Sequence, residues 1–330
     1  MHDWFTGTPG STPPTKPIEI NSIDRDRLFG ADNYDAEPGS RDAVNTALLL
    51  DQALVVTGEP GTGKTQLAEK VALELGFPLF RFETKSSSIA QDLFYTIDHV
   101  ARFQAAQVKI DGNSLDIRRF IDYGPLGRAI LQSMEPDAVK RYFFGSTPPD
   151  WYSGPSRSVV LIDEIDKAPI EFTNDLLNEI ERHYFRIREL DHGEEAKASR
   201  LLRPFVLVTS NSERQLPDAF LRRCIFYHFP PITPERLQAI ALRRLHGIGV
   251  RDGQMLKSAL QLFERLRSDE LDLRKRPSTP EFLSFLSILQ RNTDVRSDRP
   301  IPNQAALQAL STLVKAPEDQ ELARKLLSEL

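Results

Sequence analysis

A glycine-rich loop close to residue 60 constrains the fold of this chain more than any other feature. Residues 58–65 read GEPGTGKT and match the phosphate-binding pattern G-x-x-x-x-G-K-[ST]. A short apolar run, residues 53–56, precedes the loop, and a helical pattern over residues 65–75 follows it. Gly76 stands just after that pattern, where a left-handed cap residue is expected. The order strand, loop, helix predicts an α/β domain that binds phosphate groups.

The loop pattern assigns a role to individual side chains. Its glycines let backbone N–H groups turn toward phosphate oxygens, and the following helix adds a favourable dipole. We expect Lys64 to reach the β- and γ-phosphates of a nucleotide and Thr65 to hold Mg²⁺ through its hydroxyl. The predicted nucleotide-binding residues are Gly58, Glu59, Pro60, Gly61, Thr62, Gly63, Lys64, Thr65 and Gln66.

Four further segments predict strands that join the one before the loop. Residues 77–83 alternate apolar and polar side chains, whereas residues 159–162, 205–208 and 225–229 are almost continuously apolar. Continuous apolar runs separated by helical stretches are typical of parallel strands buried on both faces. The sequence therefore predicts one five-stranded, doubly wound parallel sheet.

Polar residues follow two of these strands at the edge of the sheet where ligands bind in such folds. Asp163 and Glu164 end the run at 159–162, and we expect Asp163 to hold the Mg²⁺ hydration shell and Glu164 to polarise the attacking water. Acidic residues also favour the start of a helix, but the upstream loop favours the catalytic interpretation. Asn211 follows the run at 205–208; it either bonds the water or γ-phosphate or only begins a turn.

The connection between the second and third strands, residues 84–157, is too long for one crossover helix. It contains a helical pattern over 89–107, a turn at 111–113 and a second helix that opens at 124–126. Residues 184–189 alternate as a short strand, so a hairpin is expected ahead of the fourth strand.

After Pro230 and Pro231 the strand patterns stop, and about five helices follow. Thr233 and Thr279 each precede a proline and are expected to be N-caps. The predicted division is a Pro/Thr-rich tail at 1–20, a nucleotide-binding α/β domain at 21–231 and an all-helical domain at 232–330.

Composition narrows the class of protein further. Lys and Arg total 42 against 47 Asp and Glu, a net charge of −5, which does not indicate nucleic-acid binding. No apolar run is long enough for a membrane helix, and no secretory signal pattern is present at the start. The single cysteine, Cys224, excludes a disulfide within the chain. These features predict a soluble, cytoplasmic protein without a membrane partner.

Taken together, four segments resemble the MoxR-like group of AAA+ ATPases, relatives of the dynein and McrB proteins. They are residues 58–65, residues 161–168 (LIDEIDKA), Asn211 and residues 216–223 (LPDAFLRR). The resemblance covers roughly residue 28 to the C-terminus. It implies an α/β nucleotide domain with a helical lid, an insertion at about 89–123, a hairpin at about 184–203, and a ring, usually a hexamer, that holds ATP between neighbouring subunits.

The resemblance also implies roles for single residues. Asn211 matches the sensor 1 position, and Arg223 matches the arginine finger, with Arg222 adjacent to it. The usual sensor 2 arginine is replaced by Glu281, although Arg274, Lys275 and Arg276 lie in the preceding loop.

These features predict a Mg²⁺-dependent, chaperone-like ATPase ring that remodels or activates a protein partner, and the resemblance implies a von Willebrand factor A-domain protein as that partner. One alternative is a McrB-like NTPase motor on nucleic acid, which Lys109, Arg118 and Arg119 in the insertion keep open. Another is a nucleotide-dependent scaffold or switch, which the presence of Glu164 opposes.

Overall fold

The computed structural model describes residues 22–107, 116–190 and 195–328. The described chain divides into two compact units. One is Ala36–Pro230, and the other joins the described residues before Ala36 to those from Pro231 onward. The predicted turn at 111–113 and the predicted tail at 1–20 lie outside the described residues.

The described residues of the first unit form nine strands. They are β1 Ala53–Thr57, β2 Leu79–Glu83, β3 Tyr95–Ile97, β4 Ile121–Tyr123, β5 Val159–Asp163, β6 Tyr184–Arg186, β7 Glu195–Lys197, β8 Phe205–Ser210 and β9 Cys224–His228.

Fourteen α-helices occur in the described residues of the two units. They are α1 Arg25–Phe29, α2 Pro38–Leu50, α3 Lys64–Leu75, α4 His99–Gln107, α5 Pro125–Gln132, α6 Pro136–Val139, α7 Ile170–Asp175, α8 Leu177–Arg182, α9 Asp218–Leu221, α10 Pro234–Leu245, α11 Gln254–Arg267, α12 Thr279–Gln290, α13 Asn303–Leu313 and α14 Pro317–Ser328.

The main sheet has the strand order β2-β5-β8-β1-β9, and every neighbouring pair is parallel. The three inner strands are buried along almost their whole length, whereas β2 and β9 are half exposed at the two edges. The predicted five-stranded parallel sheet is confirmed, because runs of Val, Leu and Ile suit strands covered on both faces. Within this order, β8 lies between β1 and β5.

The long connection after β2 differs from the helix predicted over residues 89–107. A short 3₁₀ turn, Ala90–Leu93, leads into β3, and α4 begins only at His99. β3 pairs antiparallel with β4, so that Tyr95 stands opposite Tyr123. The sequence pattern did not show this strand because its partner lies more than twenty residues further along the chain.

A second small hairpin precedes β8. β6 pairs antiparallel with β7, and Phe185 stands opposite Ala196. Phe185 is buried, and its ring lies against those of Phe94 and Tyr123. The hairpin and the β3–β4 pair therefore share one aromatic core.

The C-terminal part of the second unit contains the helices α10 to α14, which pack around one apolar core. Thr233 caps α10 by accepting a hydrogen bond from the Arg236 N–H at 3.3 Å. At α12 the expectation of Thr279 as N-cap is wrong: Ser278 is the cap, and its N–H and hydroxyl both bond the Glu281 carboxylate. This reciprocal cap explains an acidic residue at position 281.

The start of the described chain belongs to the helical unit rather than to the nucleotide domain predicted at 21–231. Leu28 of α1 is buried in the core of the C-terminal helices. The Arg244 guanidinium donates a hydrogen bond of 2.8 Å to the Leu28 carbonyl. Both contacts join sequence positions more than 200 residues apart, which local patterning does not indicate. In the described part of the chain, no helix is long and apolar enough to span a membrane.

Candidate functional site

The phosphate-binding loop connects β1 to α3 through three glycines with positive φ. Gly58, Gly61 and Gly63 have φ of 145°, 82° and 96°, values that side chains other than glycine rarely allow. At Gly58 a Cβ would also lie 2.9 Å from the Phe229 Cβ. The hydroxyl of Thr62 donates to the Glu59 carbonyl at 2.9 Å and closes the turn between them. The predicted loop therefore has the tight backbone that a phosphate cradle requires.

Lys64, the first residue of α3, is only 6% exposed. Its ammonium donates to the carbonyl oxygens of Gly58 at 2.7 Å and Glu59 at 3.0 Å. Burial lowers the pKa of Lys64, and the charges of Asp166, Asp163 and Glu164 oppose that shift. The Lys64 ammonium thus lies near these three carboxylates, whose negative charge suits a bound cation.

Thr65 and Asp163 meet at the end of β5. The Thr65 hydroxyl donates to the two carboxylate oxygens of Asp163 at 3.1 and 3.2 Å. Hydroxyl and carboxylate oxygens are the donors that Mg²⁺ prefers. The pair therefore fits a magnesium ion, with Thr65 and Asp163 as the residues that would hold it or its water.

Glu164 follows Asp163 with a left-handed backbone, φ 55° and ψ 52°. The Asn211 side-chain amide donates to one carboxylate oxygen at 3.0 Å, and the Lys167 ammonium donates to the other. The Lys167 ammonium, together with Asn211, holds the pKa of Glu164 below its usual range. Glu164 is therefore an ionised carboxylate held at both oxygens.

Asp166 ties the segment after β8 to the same turn. It is buried, and its Oδ2 accepts hydrogen bonds from the backbone N–H groups of Asn211 at 3.1 Å and Glu213 at 3.0 Å. Asn211 is thus fixed by its backbone as well as by its contact with Glu164, rather than only beginning a turn.

The two predicted arginine-finger candidates lie apart from these contacts. Arg223 donates to Glu181 at 3.1 Å and to the Ala219 carbonyl at 3.2 Å. Arg222 is exposed and has no side-chain hydrogen bond or ion pair within the described residues. Neither bonds, in that part of the chain, to the phosphate-binding loop, Asp163 or Glu164.

The cationic loop considered for sensor 2 is engaged within the helical unit. The Arg274 and Arg276 guanidinium groups pair with Glu318 and Asp269, respectively. The backbone N–H groups of Arg274 and Lys275 both donate to Asp319 at 3.1 Å.

Sequence reasoning missed three residues of the site: Asp166, Lys167 and Thr209. Asp166 and Lys167 lie inside the LIDEIDKA segment. Asp166 bonds backbone N–H groups of the segment after β8, whereas Lys167 pairs with Glu164, three residues before it. Thr209 stands two residues before Asn211, and alternation along a strand places both on the same face. The parallel register pairs Ile162 with Val208, which puts Thr209 beside Asp163.

A strand, a glycine-rich turn and a helix, with paired acids on a neighbouring strand, define a P-loop nucleotide-binding protein. The sequence of residues 53–224, just over half of the chain, matches the AAA domain family, dynein-related subfamily. The chain belongs to this family.

Two solved structures are similar to the chain. One is the RuvB Holliday junction branch migration motor of Thermotoga maritima, with 15% identity over 89% of this chain and 75% of that one, and a TM-score of 0.46. The other is a single-residue variant of RuvB from the same organism, with 18% identity over 85% and 68% of the two chains, and a TM-score of 0.43. No curated protein matches this sequence significantly.

Proposed function

We propose that this chain is a MoxR-like, Mg²⁺-dependent ATPase that assembles as a hexameric ring in the cytoplasm and remodels or activates a protein partner. One observation carries the ATPase assignment: Thr65, Asp163, Glu164 and Asn211 meet at one edge of the sheet, joined by hydrogen bonds. Lys64 stands at the start of α3, next to Thr65. This is the set of side chains that hydrolysis of a nucleoside triphosphate requires.

Each residue has a distinct task in the proposed reaction. Lys64 exchanges the Gly58 and Glu59 carbonyls for phosphate oxygens and neutralises part of their charge. Thr65 and Asp163 hold Mg²⁺, which when bound draws charge from the β- and γ-phosphates. Glu164, ionised because of its low pKa, accepts a hydrogen bond from the attacking water. Asn211 keeps the Glu164 carboxylate oriented toward that water.

The ring assignment rests on the two arginines. Arg222 and Arg223 are exposed and make no bond to the phosphate-binding loop within the described residues. A guanidinium offered by one subunit would complete the site of the next and neutralise developing charge on the γ-phosphate. We propose Arg223 as this finger, with Arg222 as the alternative beside it.

The protein partner is supported by apolar surface in the insertion. α4 has no buried residue, and Val100 and Phe103 on it are 68% and 64% exposed. Exposed apolar patches of this kind mark contact sites for other proteins. In the same unit, a cavity of about 940 Å³ is lined in part by the aromatic side chains of Phe94, Tyr95 and Phe185. A von Willebrand factor A-domain protein is the partner class that we propose.

The basic residues of the insertion were the reason to consider a motor that acts on nucleic acid, but their contacts do not support that function. Arg118 forms an ion pair with Asp116 at 2.6 Å, and the Arg119 guanidinium lies over the Phe144 ring. Lys109 lies outside the described residues. With a net charge of −5, the chain offers little to a polyanion.

Two variants test the ATPase assignment by separating binding from chemistry. Lys64→Ala should lose tight ATP binding, because it removes the mobile cation that faces the phosphates. Glu164→Gln keeps the shape of the side chain but cannot act as a base. It should therefore bind ATP normally and hydrolyse it more slowly by a factor of about 100 or more. Calorimetry measures binding, and phosphate release measures turnover.

Two results would contradict the assignment. Normal ATP–Mg²⁺ affinity in Lys64→Ala would show that residues 58–65 do not hold the phosphates. Unchanged turnover in Glu164→Gln would move water activation to another residue. Lys197→Ala, at an exposed lysine on β7, serves as the control for loss of one positive charge.

A further inference from the structure

Thr209 lies between the two acidic residues that end β5. It is 1% exposed, and its hydroxyl has two partners. It donates its proton to Asp163 Oδ1 and accepts a hydrogen bond from the Glu164 backbone N–H at 2.8 Å. A hydroxyl has one proton, so the directions of both bonds are determined. One side chain of β8 therefore holds both acids of the neighbouring strand.

The position of β8 in the sheet makes this contact available. The backbone pairing of β5 with β8 ends at Ile162 and Val208, one residue before the acids. Beyond that point the Thr209 side chain provides the bond to the Glu164 N–H that the sheet no longer supplies. The bond falls where Glu164 adopts a left-handed conformation, which is unfavourable for a residue other than glycine and persists only where surrounding contacts hold it.

The bond to Asp163 has a different consequence. Thr65 also donates to this carboxylate, but in the proposed reaction its hydroxyl is used to hold Mg²⁺. Thr209 then keeps the carboxylate oriented while Thr65 turns to the metal. Residues that orient metal-binding carboxylates typically contribute 10–100-fold to metal affinity or activity.

We propose that Thr209 is a positioning residue for hydrolysis, which directs the Asp163 carboxylate toward the Mg²⁺ site and fixes the backbone from which Glu164 extends. The inference rests on the proposed ATPase function. Thr209 acts through Asp163 and Glu164 and not by contact with the phosphates.

Thr209→Val tests the proposal, because valine keeps the shape of threonine and removes only the hydroxyl. We expect kcat to fall about 10–100-fold, with KM for ATP within about twofold of the parent. The Mg²⁺ concentration that gives half-maximal hydrolysis should rise about 3–10-fold. Thr209→Ser, which keeps the hydroxyl, should restore kcat to within about threefold of the parent.

Thr173→Val is the matched control. Thr173 is 3% exposed in the same unit, and among the described residues its hydroxyl bonds only the Ile170 carbonyl, at 2.8 Å, within its own helix. This substitution should leave kcat and the Mg²⁺ requirement unchanged. Melting temperatures of all variants check that loss of activity is not loss of folding.

A second measurement does not depend on hydrolysis. The affinity for a fluorescent ADP is measured with and without Mg²⁺. Adding Mg²⁺ should increase this affinity in the parent and increase it much less in Thr209→Val. If Mg²⁺ increases the ADP affinity of Thr209→Val as much as that of the parent, the proposal is overturned, whether or not the protein hydrolyses ATP.

The outcomes separate this proposal from the ATPase assignment. If Glu164→Gln is inactive while Thr209→Val hydrolyses ATP normally, the positioning role is wrong and the ATPase function stands. If Thr209→Ser fails to recover activity, packing and not the hydroxyl matters, which also overturns the proposal. If the parent hydrolyses no ATP, the proposed function fails, and the Mg²⁺-dependent ADP binding alone decides on Thr209.

Discussion

At the scale of single residues, His183 is a buried titratable group that the proposed chemistry does not use. It is 3% exposed, follows α8 with a left-handed φ of 51°, and its Nδ1 has no hydrogen-bond partner within the described residues. Burial lowers the pKa of His183 to about 4; nearby Asp51 raises it, and Arg203 and Arg157 lower it. The folded protein therefore keeps this ring neutral.

This shift predicts a loss of stability in mild acid. In the unfolded chain His183 is protonated near pH 6.5, whereas in the folded chain it is protonated only near pH 4. Between these values the unfolded state binds the extra proton, so stability falls as pH drops. From pH 7 to pH 5 this one group should remove about 2 kcal/mol from the free energy of unfolding.

His183→Asn tests the effect, because asparagine tolerates the left-handed backbone and does not titrate. The variant should lose about 2 kcal/mol less than the parent between pH 7 and pH 5. Urea unfolding of a Trp4→Phe background, followed by Trp151 fluorescence, reports on the unit that contains His183. Equal acid sensitivity in the two proteins would show that His183 is not the source.

The positions of single residues are predictable where a motif determines local spacing. Lys64 and Thr65 follow the loop directly, and Asp163 and Glu164 end an apolar strand, so their approximate location follows from the α/β pattern alone. Asp166 and Thr209 escaped prediction because their contacts join the end of β5 to β8 and the segment after it, whereas Lys167 was missed although its partner Glu164 is only three residues away. Only the order in which β8 separates β1 from β5 shows that Thr209 reaches Asp163.

At the scale of elements, α5 shows how closely a helix and a backbone segment can approach. A Cβ on Gly127 would lie 2.0 Å from the Phe94 carbonyl oxygen, and one on Gly124 would lie 2.2 Å from the Asp92 carbonyl oxygen. Glycine at these positions is therefore required by space, although both have ordinary φ values. α5 packs directly on the segment that leads into β3.

Gly127→Ala should destabilise the unit by about 1–3 kcal/mol, because the added methyl group has no room beside the Phe94 carbonyl. Helix propensity acts in the opposite direction, since alanine is the better helix former by up to ~1 kcal/mol. Urea unfolding measures the balance.

Gly76→Ala is the contrasting variant, since its φ is 66° but nothing lies within 4 Å of a Cβ there. Its cost should come from backbone strain alone, about 1 kcal/mol. If Gly127→Ala proved as stable as the parent, the close approach of α5 to residues 92–94 would be wrong.

The elements themselves were predictable where their pattern is local. Apolar runs predicted the five strands of the main sheet, and Gly76 caps α3 with its left-handed φ as its position suggested. β3 was hidden inside a helical pattern, because what makes it a strand is its pairing with β4, far along the chain.

At the scale of the whole molecule, the proposed ring predicts that the site is shared between subunits. Arg223→Ala and Lys64→Ala proteins should each be inactive alone. If Arg223 acts in trans, mixed rings contain some interfaces that join an intact loop to an intact arginine, about a quarter of them after random equal mixing. Mixing should therefore restore phosphate release, and the rescue should vanish on dilution below the range in which the ring is stable.

The same mixing with Arg222→Ala in place of Arg223→Ala decides which arginine is the finger. Mass spectrometry of intact assemblies confirms that subunits have exchanged. Absence of rescue in rings shown to be mixed would contradict the trans arrangement and leave a self-contained site.

The grouping of α1 with the C-terminal helices has a consequence for biosynthesis. Ala36–Pro230 is continuous in sequence, so the ribosome completes the nucleotide-binding unit before it has made α10. α1 is made before that unit, yet its buried Leu28 packs against helices that come at least 200 residues later. At ~5–20 residues per second, that apolar side chain waits roughly 10–40 s for its partners. During translation, α1 is therefore made before the nucleotide-binding unit but buried only after that unit is complete.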